Sequence, residues 1–299
     1  MHRRRAARVV VLAIGVAASV ASARSVAAQS GHTRVGPQNG ALVVVGGAME
    51  SDEIYRRFIE LAGGPRARIV LVPTAAGEGE YGDSYDGLEV WRQHGARNVR
   101  ILHTLDPAVA NTDEFVEPLK DAGGVFFFGG RQWRLAEAYA GTKTEEELRN
   151  VLERGGVIGG TSAGASILGS FLVRGDTETN AIIIGDHQTG FGYLRDVAID
   201  QHVLRRNRHF DMLELLAAHP ELLGIGLDED TAIVVRGDQF EVIGKSYVLI
   251  YDSQTTTGRD GTFYFLAPGD GYDMATRRAM RPSRTFGPVP NVERRPWSH

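Results

Sequence analysis

Val157-Ile158-Gly159-Gly160-Thr161-Ser162-Ala163-Gly164-Ala165 is the stretch whose reading decides the fold. Two β-branched residues run into a pair of glycines, and residues 160–164 then read G-x-S-x-G. A strand entering such a turn, with Ala165, Ile167 and Leu168 behind it in a predicted helix, has the form of a nucleophile elbow. A sharp strand-to-helix turn strains its middle residue, and small neighbours (Gly160, Ala163, Gly164) let the backbone close. Ser162 then lifts its hydroxyl above the sheet, and the Ala163 N–H faces the developing oxyanion. The helix N-terminus behind it adds positive potential. A lone G-x-S-x-G also describes an ordinary glycine-rich turn or a phosphate cradle; the strand before it and the helix after it favour the nucleophile.

Outward from this turn, the pattern is strand, helix, strand. Ala41–Val45, Ile69–Val72, Val99–Leu102 and Val125–Phe128 are apolar runs ending in glycine or a turn residue. Helical spacing marks 51–62, 88–94 and 148–153 between them. Runs apolar on both faces suit buried parallel strands. The expected fold class is therefore α/β, with a mostly parallel central sheet covered by helices on both faces. In such sheets ligands sit beyond the carboxyl ends of the strands. After the serine, short apolar runs at 182–184, 224–227, 232–235, 240–243 and 247–251 are closely spaced and predict antiparallel hairpins added to the sheet edge or a small separate antiparallel layer. No internal repeat or proline-rich linker interrupts residues 40–267, so one domain over 29–267 is expected. Residues 268–299, rich in Arg, Pro and Gly, read as a surface tail.

The N-terminus reads as a secretory signal peptide over residues 1–28. A basic stretch (Arg3-Arg4-Arg5) precedes the uncharged apolar run Val9–Val20, and small residues end at Val26-Ala27-Ala28. The apolar run is too short for a stable membrane span. A secreted or periplasmic location follows. That segment carries five of the 33 basic residues and none of the 37 acidic ones, so the remainder has a formal charge of −9. Such an acidic chain is a poor nucleic-acid binder. The absence of cysteine excludes disulfides, thiolate metal sites and cysteine nucleophiles together.

A serine nucleophile needs a base within hydrogen-bond reach and a carboxylate to orient that base. The histidines downstream are His187, His202, His209, His219 and His299. The α/β-hydrolase order of Ser, acid, His leaves only His299 beyond the acidic cluster Asp228-Glu229-Asp230. The order Ser, His, acid fits better, with His202 as base. On a strand, Asp228 and Asp230 share one face and Glu229 takes the other; spacing does not choose among them. Arg206 and Arg208, close to the proposed base, suit bidentate carboxylate recognition or form a solvated face.

Four blocks together resemble the cyanophycinases of the S51 serine peptidase family. They are Gly159–Ala165, Asp200-Gln201-His202 with Arg206-x-Arg208, Gly224–Ala232, and Phe128-Gly129-Gly130-x-Gln132. They fall in the family's order, and the likeness spans about residues 40–267. The resemblance implies a class I glutamine amidotransferase-like fold and a Ser162–His202–Glu229 triad that needs no cofactor or metal. It also implies Ala163 and Gly130 as oxyanion donors, and a pocket shaped by Gln132, Asp200, Gln201, Arg206 and Arg208. Cyanophycinases cut β-aspartyl-arginine peptides from an arginine-grafted polyaspartate, and relatives are α-aspartyl dipeptidases. An aspartyl peptide is thus the implied partner, and a homodimer is compatible with the chain. Two positions depart from the pattern: Arg131 stands where the family usually carries Asp, and Asp211 where it usually carries Arg. The competing readings are a non-catalytic binding protein on this fold and a metallohydrolase using Asp200, His202 and an acid from 228–230.

Overall fold

The computed structural model describes residues 34–82, 85–254 and 262–282. The expected signal peptide and residues 283–299 of the expected tail lie outside the described residues.

Five strands build the parallel part of the first sheet: β1 (Ala41–Val45), β2 (Arg68–Val72), β3 (Asn98–Ile101), β4 (Gly124–Phe127) and β5 (Val157–Thr161). Between them run α1 (Asp52–Leu61), α2 (Asp86–Gln93), α3 (Pro107–Ala110), α4 (Asp113–Lys120), α5 (Gln132–Tyr139) and α6 (Lys143–Glu153). The strands lie side by side as β1-β5-β4-β2-β3, all parallel. Apolar residues on both faces of each strand are what this arrangement uses. Val43 and Val45 pack toward α1 and α2, among Ile54, Phe58 and Trp91, while Leu42 and Val44 pack on the other side toward α5 and α6. Phe126 meets Phe58 and Trp91 edge-on at 5.3 and 4.9 Å. Each fully buried side chain of this size contributes roughly 1.5–3 kcal/mol.

The second half is more elaborate than the sequence reading. After a single helical turn, α7 (Ala163–Ser166), come β6 (Gly169–Phe171), β7 (Leu194–Gln201), α8 (Asp211–Ala218), β8 (Leu223–Leu227), β9 (Thr231–Arg236), β10 (Gln239–Gly244), β11 (Val248–Asp252), β12 (Tyr264–Leu266), β13 (Gly271–Asp273) and β14 (Arg278–Met280). The β9–β10 hairpin and then β13 and β14 extend the first sheet antiparallel from β1, making nine strands. A separate five-stranded sheet has the order β12-β11-β8-β7-β6. One of its faces, with Val197, Ile199, Ile225 and Ile250, shares a core with the first sheet. Its other face packs with α8 through Met212, Leu215 and Tyr251.

Three expectations need correction, and one strand is new. The run at 182–184 forms no strand; Ile183 is buried beside α8, and its carbonyl accepts a hydrogen bond from the Arg174 N–H. Strand β7 escapes the sequence reading because Arg195, Asp196 and Asp200 break its apolar run. The helix behind Ser162 is one turn long, so its dipole contributes little. The expected domain end at 267 is too early: β13 belongs to the first sheet, and Tyr272 is fully buried 5.5 Å from the Phe240 ring. Accordingly, Tyr272→Ala is expected to cost about 3–5 kcal/mol, measurable by urea unfolding. A change within 0.5 kcal/mol, as is usual for an exposed site, would show that the domain does end near 267.

Candidate active site

Strand β5 delivers Ser162 to the carboxyl end of the first sheet. Its backbone sits at φ 56°, ψ −115°, a conformation rare for any residue but glycine. The turn closes only because residue 160 has no side chain, since a Cβ there would lie 2.1 Å from the Gly164 carbonyl oxygen. The Ser162 N–H donates to the Val45 oxygen at the end of the neighbouring strand β1 (3.0 Å). Gly129 lies against the serine: a Cβ built on it would be 3.1 Å from the serine Cβ. The Gly129-Gly130 turn thus flanks the hydroxyl, and Ala163 follows it directly on α7.

The second sheet delivers the histidine. His202 follows β7 with φ 54°, and its N–H donates to the Gly46 oxygen just past β1 (2.8 Å). Its ring Nε2 lies 2.9 Å from Ser162 Oγ, and its Nδ1 lies 2.7 Å from Glu229 Oε1. An ionised carboxylate only accepts. Hydrogen therefore sits on Nδ1, and the Nε2 lone pair faces the serine hydroxyl. Ring placement depends on Gly47, at φ 122°, where a Cβ would fall 2.1 Å from the imidazole. Burial, the largest influence on His202, pushes its pKa below the ordinary value of 6.5. The Glu229 hydrogen bond opposes this shift, while the charges of Arg206 and Arg208 reinforce it.

The three consecutive acids, which spacing left undecided, divide their work. They lie in the turn from β8 to β9, so strand alternation does not apply to them. Asp228 accepts from the Leu204 and Arg205 N–H groups (3.1 and 2.9 Å) and from Ser246 Oγ (2.7 Å), fixing the segment after His202. Asp230 accepts from the Glu50 and Ser51 N–H groups (2.9 and 2.7 Å) and pairs with Lys245 at 2.6 Å. Glu229 alone reaches the imidazole. The metal set of Asp200, His202 and an acid does not converge, because both His202 nitrogens are engaged and Asp200 is held elsewhere.

That engagement of Asp200 is what the sequence reading missed. Asp200 is buried and forms two 2.8 Å bonds with the guanidinium of Arg174, which is itself fully buried. Arg174 also donates to Asp211 (2.6 Å). Burial depresses the Arg174 pKa, but the two carboxylates outweigh it and hold the group above its ordinary value. Both Asp200 carboxylate oxygens are thus bonded to Arg174. The only signal in the sequence was an aspartate inside an apolar run, which requires a buried counter-charge. Gln201 Oε1 accepts from Arg208 (3.3 Å). Gln132 is buried and donates to the Val173 oxygen (2.6 Å), and Arg131 donates to the Asp176 oxygen (2.7 Å). Arg206 is exposed. A cleft of about 490 Å³ bounded by Asn39, Glu153, Tyr193 and Arg195 lies at the opposite ends of β1 and β5 and takes no part in this cluster.

Comparison with known proteins gives the family. The model of peptidase family S51 matches residues 42–243. The chain belongs to peptidase family S51. It is similar to the cyanophycinase of Geminocystis herdmanii, at 34% identity over 80% of this chain and 96% of that protein. A cyanophycinase from Nostoc sp. is 35% identical over 73% of this chain and 75% of its own length. The crystal structure of a peptidase from an acI-B1 Actinobacterium superposes with a TM-score of 0.58 at 26% identity, covering 81% of this chain and 98% of that one. This S51 member is a serine-type peptidase, and the expected α/β fold is present. Among the described residues, no helix is long and apolar enough to cross a membrane.

Two expectations follow from the site. Gly47→Ala should displace the imidazole and slow labelling of Ser162 by a fluorophosphonate about a hundredfold; undiminished labelling would mean that the ring has room to spare. The depressed His202 pKa implies that kcat/KM stays high below pH 6.5, because the base remains neutral there. Arg206→Gln removes a cation that disfavours the imidazolium, so the acid limb should move to higher pH. A downward shift would contradict the electrostatic account.

Proposed function

We propose that this chain is an exported peptidase that hydrolyses aspartyl peptides through Ser162, His202 and Glu229. Ser162 Oγ attacks the scissile carbonyl while His202 Nε2 takes its proton. Glu229 holds the imidazole in the required tautomer and stabilises the imidazolium. The Ala163 and Gly130 N–H groups receive the oxyanion of the tetrahedral intermediate. His202 then returns the proton to the leaving amine, and water hydrolyses the acyl-enzyme by the same steps in reverse order. The observation carrying this reading is the unbroken hydrogen-bond chain from a serine at φ 56° through His202 to Glu229. A non-catalytic binding protein would have no need of a strained serine aligned with a tautomer-locked base.

The aspartyl specificity rests on the similarity to proteins named cyanophycinase. Export rests on the N-terminal segment, with a mature start near Gln29. Gln132, Gln201, Arg206 and Arg208 are the side chains we assign to substrate binding, with Asp200 acting behind them.

Ser162→Ala is expected to remove at least about a thousandfold in rate while the fold survives, since only binding and the oxyanion donors remain. Mass analysis after incubation with cyanophycin and with α- and β-aspartyl dipeptides reads both the activity and the linkage. Near-normal turnover by a folded Ser162→Ala protein would sink the serine mechanism, and intact substrates in every tube would sink the aspartyl assignment.

A further inference from the structure

The glycine turn that flanks Ser162 is held by a segment with no part in the triad. Gly129 and Gly130 join β4 to α5, and among the described residues neither the Gly130 N–H nor the Ala163 N–H has a protein acceptor. Gly130 packs against the short helical turn Thr74–Ala76, which follows β2. At φ 142°, a Cβ on Gly130 would lie 2.1 Å from the Ala75 carbonyl oxygen. That oxygen accepts from the Arg131 N–H (2.7 Å) and from Arg134 Nη1 (3.1 Å). The backbone on either side of the Gly130–Arg131 peptide is therefore fixed by wherever Ala75 stands.

Ala75 in turn stands where its neighbour Thr74 is tied. Thr74 Oγ1 lies 2.6 Å from the hydroxyl of Tyr139, the last residue of α5, and 2.9 Å from Nδ1 of His103, just past β3. Thr74 and Tyr139 are both fully buried. Burial, the largest influence on Tyr139, pushes its pKa up to about 12, so the hydroxyl keeps its proton and can donate. One side chain thus joins the ends of β2 and β3 to α5. Its eight residues make α5 about 12 Å long. Thr74 and Ala75 grip the two ends of that helix, because the Tyr139 side chain reaches back toward its N-terminus. A satisfied polar network inside a low-dielectric core specifies one arrangement closely. Oxyanion stabilisation needs such precision, since a donor acts only at about 2.7–3.1 Å from the position the oxyanion will occupy.

We propose that Thr74, clamped between Tyr139 and His103, is a positioning residue for the oxyanion donor at Gly130: it locks the Ala75 carbonyl and α5 so that the Gly130 N–H stays fixed beside Ser162. The proposal rests on the site reading above and deepens it. Thr74 touches no reacting atom. Its loss lets the turn shift by a fraction of an ångström, which weakens the hold on the tetrahedral intermediate and leaves binding of the uncharged carbonyl unchanged.

Fluorophosphonate labelling of the full chain tests this without requiring an aspartyl substrate. Varying the reagent concentration separates reversible binding from the bond-forming step. Thr74→Val keeps the side-chain shape and removes the hydroxyl; Tyr139→Phe breaks the same link from the other side. Each should slow the bond-forming step about tenfold and leave the half-saturating reagent concentration unchanged. Thr74→Ser keeps the hydroxyl and should restore most of the rate. The acid limb of the labelling rate reports His202, which none of these changes touches, so it should stay at the wild-type pH in all three. Thermal unfolding checks that each protein is folded at the assay temperature, and if Thr74→Val is not, Tyr139→Phe carries the test. Wild-type rates in the folded variants, or a Thr74→Ser protein as slow as Thr74→Val, would overturn the proposal. A shifted acid limb would also overturn it, since that marks a general loosening of the site. Those outcomes leave the serine mechanism standing. Wild-type protein that takes no label at Ser162 would instead remove the serine mechanism and this proposal together, whereas labelled protein that cleaves no aspartyl peptide removes only the substrate assignment.

Discussion

His202 is held from both sheets at once, and the rest of the site depends on that. Its chain leaves β7 of the smaller sheet, its N–H bonds to Gly46 past β1 of the larger one, and its ring rests where Gly47 has no side chain. Ser162 comes from the larger sheet and Glu229 from the turn that passes from one sheet to the other. The three groups therefore register only when the two sheets dock through their shared core. Val197, Ile199 and Ile225 on one side and Leu42, Val44 and Ile158 on the other belong to that core. Its burial stabilises the very contact that sets a 2.9 Å hydrogen bond.

This placement is strained at several points. Ser162, Arg174, His202 and Asp230 all have positive φ without being glycine. Each such residue costs of order 1–3 kcal/mol, and persists only where surrounding contacts over-determine it. Those contacts can be named. Asp228 gathers the Leu204 and Arg205 N–H groups just after the histidine, Asp230 gathers those of Glu50 and Ser51, and the Ser162 N–H is paired across to β1. Neighbouring acids that resemble a charged surface run thus act as three separate fasteners.

The Arg174–Asp200–Asp211 cluster answers a different constraint. A carboxylate buried on β7 would otherwise be an uncompensated charge. An arginine from the segment after β6 neutralises it and at the same time donates to the Asn180 and Ala181 carbonyls. The two positions where this chain departs from the family pattern take part in the same region: Asp211 bonds Arg174, and Arg131 bonds the loop at Asp176.

Much of this was legible in the residues alone. The parallel strands and the tight turn at Ser162 follow from local periodicity and turn chemistry, which act over a few residues, and the order serine, histidine, acid was read from where the histidines stand relative to the acidic cluster. The choice of Glu229 over its neighbours was not legible from spacing, because the segment is a turn and its side-chain directions depend on what docks against it. Strand β7 and Tyr272 in the first sheet were hidden for a related reason, and the choice between added edge hairpins and a second layer stayed open until the structure showed both. Charged residues within β7 and a composition rich in Arg and Gly after 268 look solvent-exposed until long-range pairing supplies their partners. Arg174 is the clearest case. Nothing near it in sequence names Asp200, 26 residues away, or Asp211, 37 residues away, and only the closed tertiary structure brings them within hydrogen-bond distance.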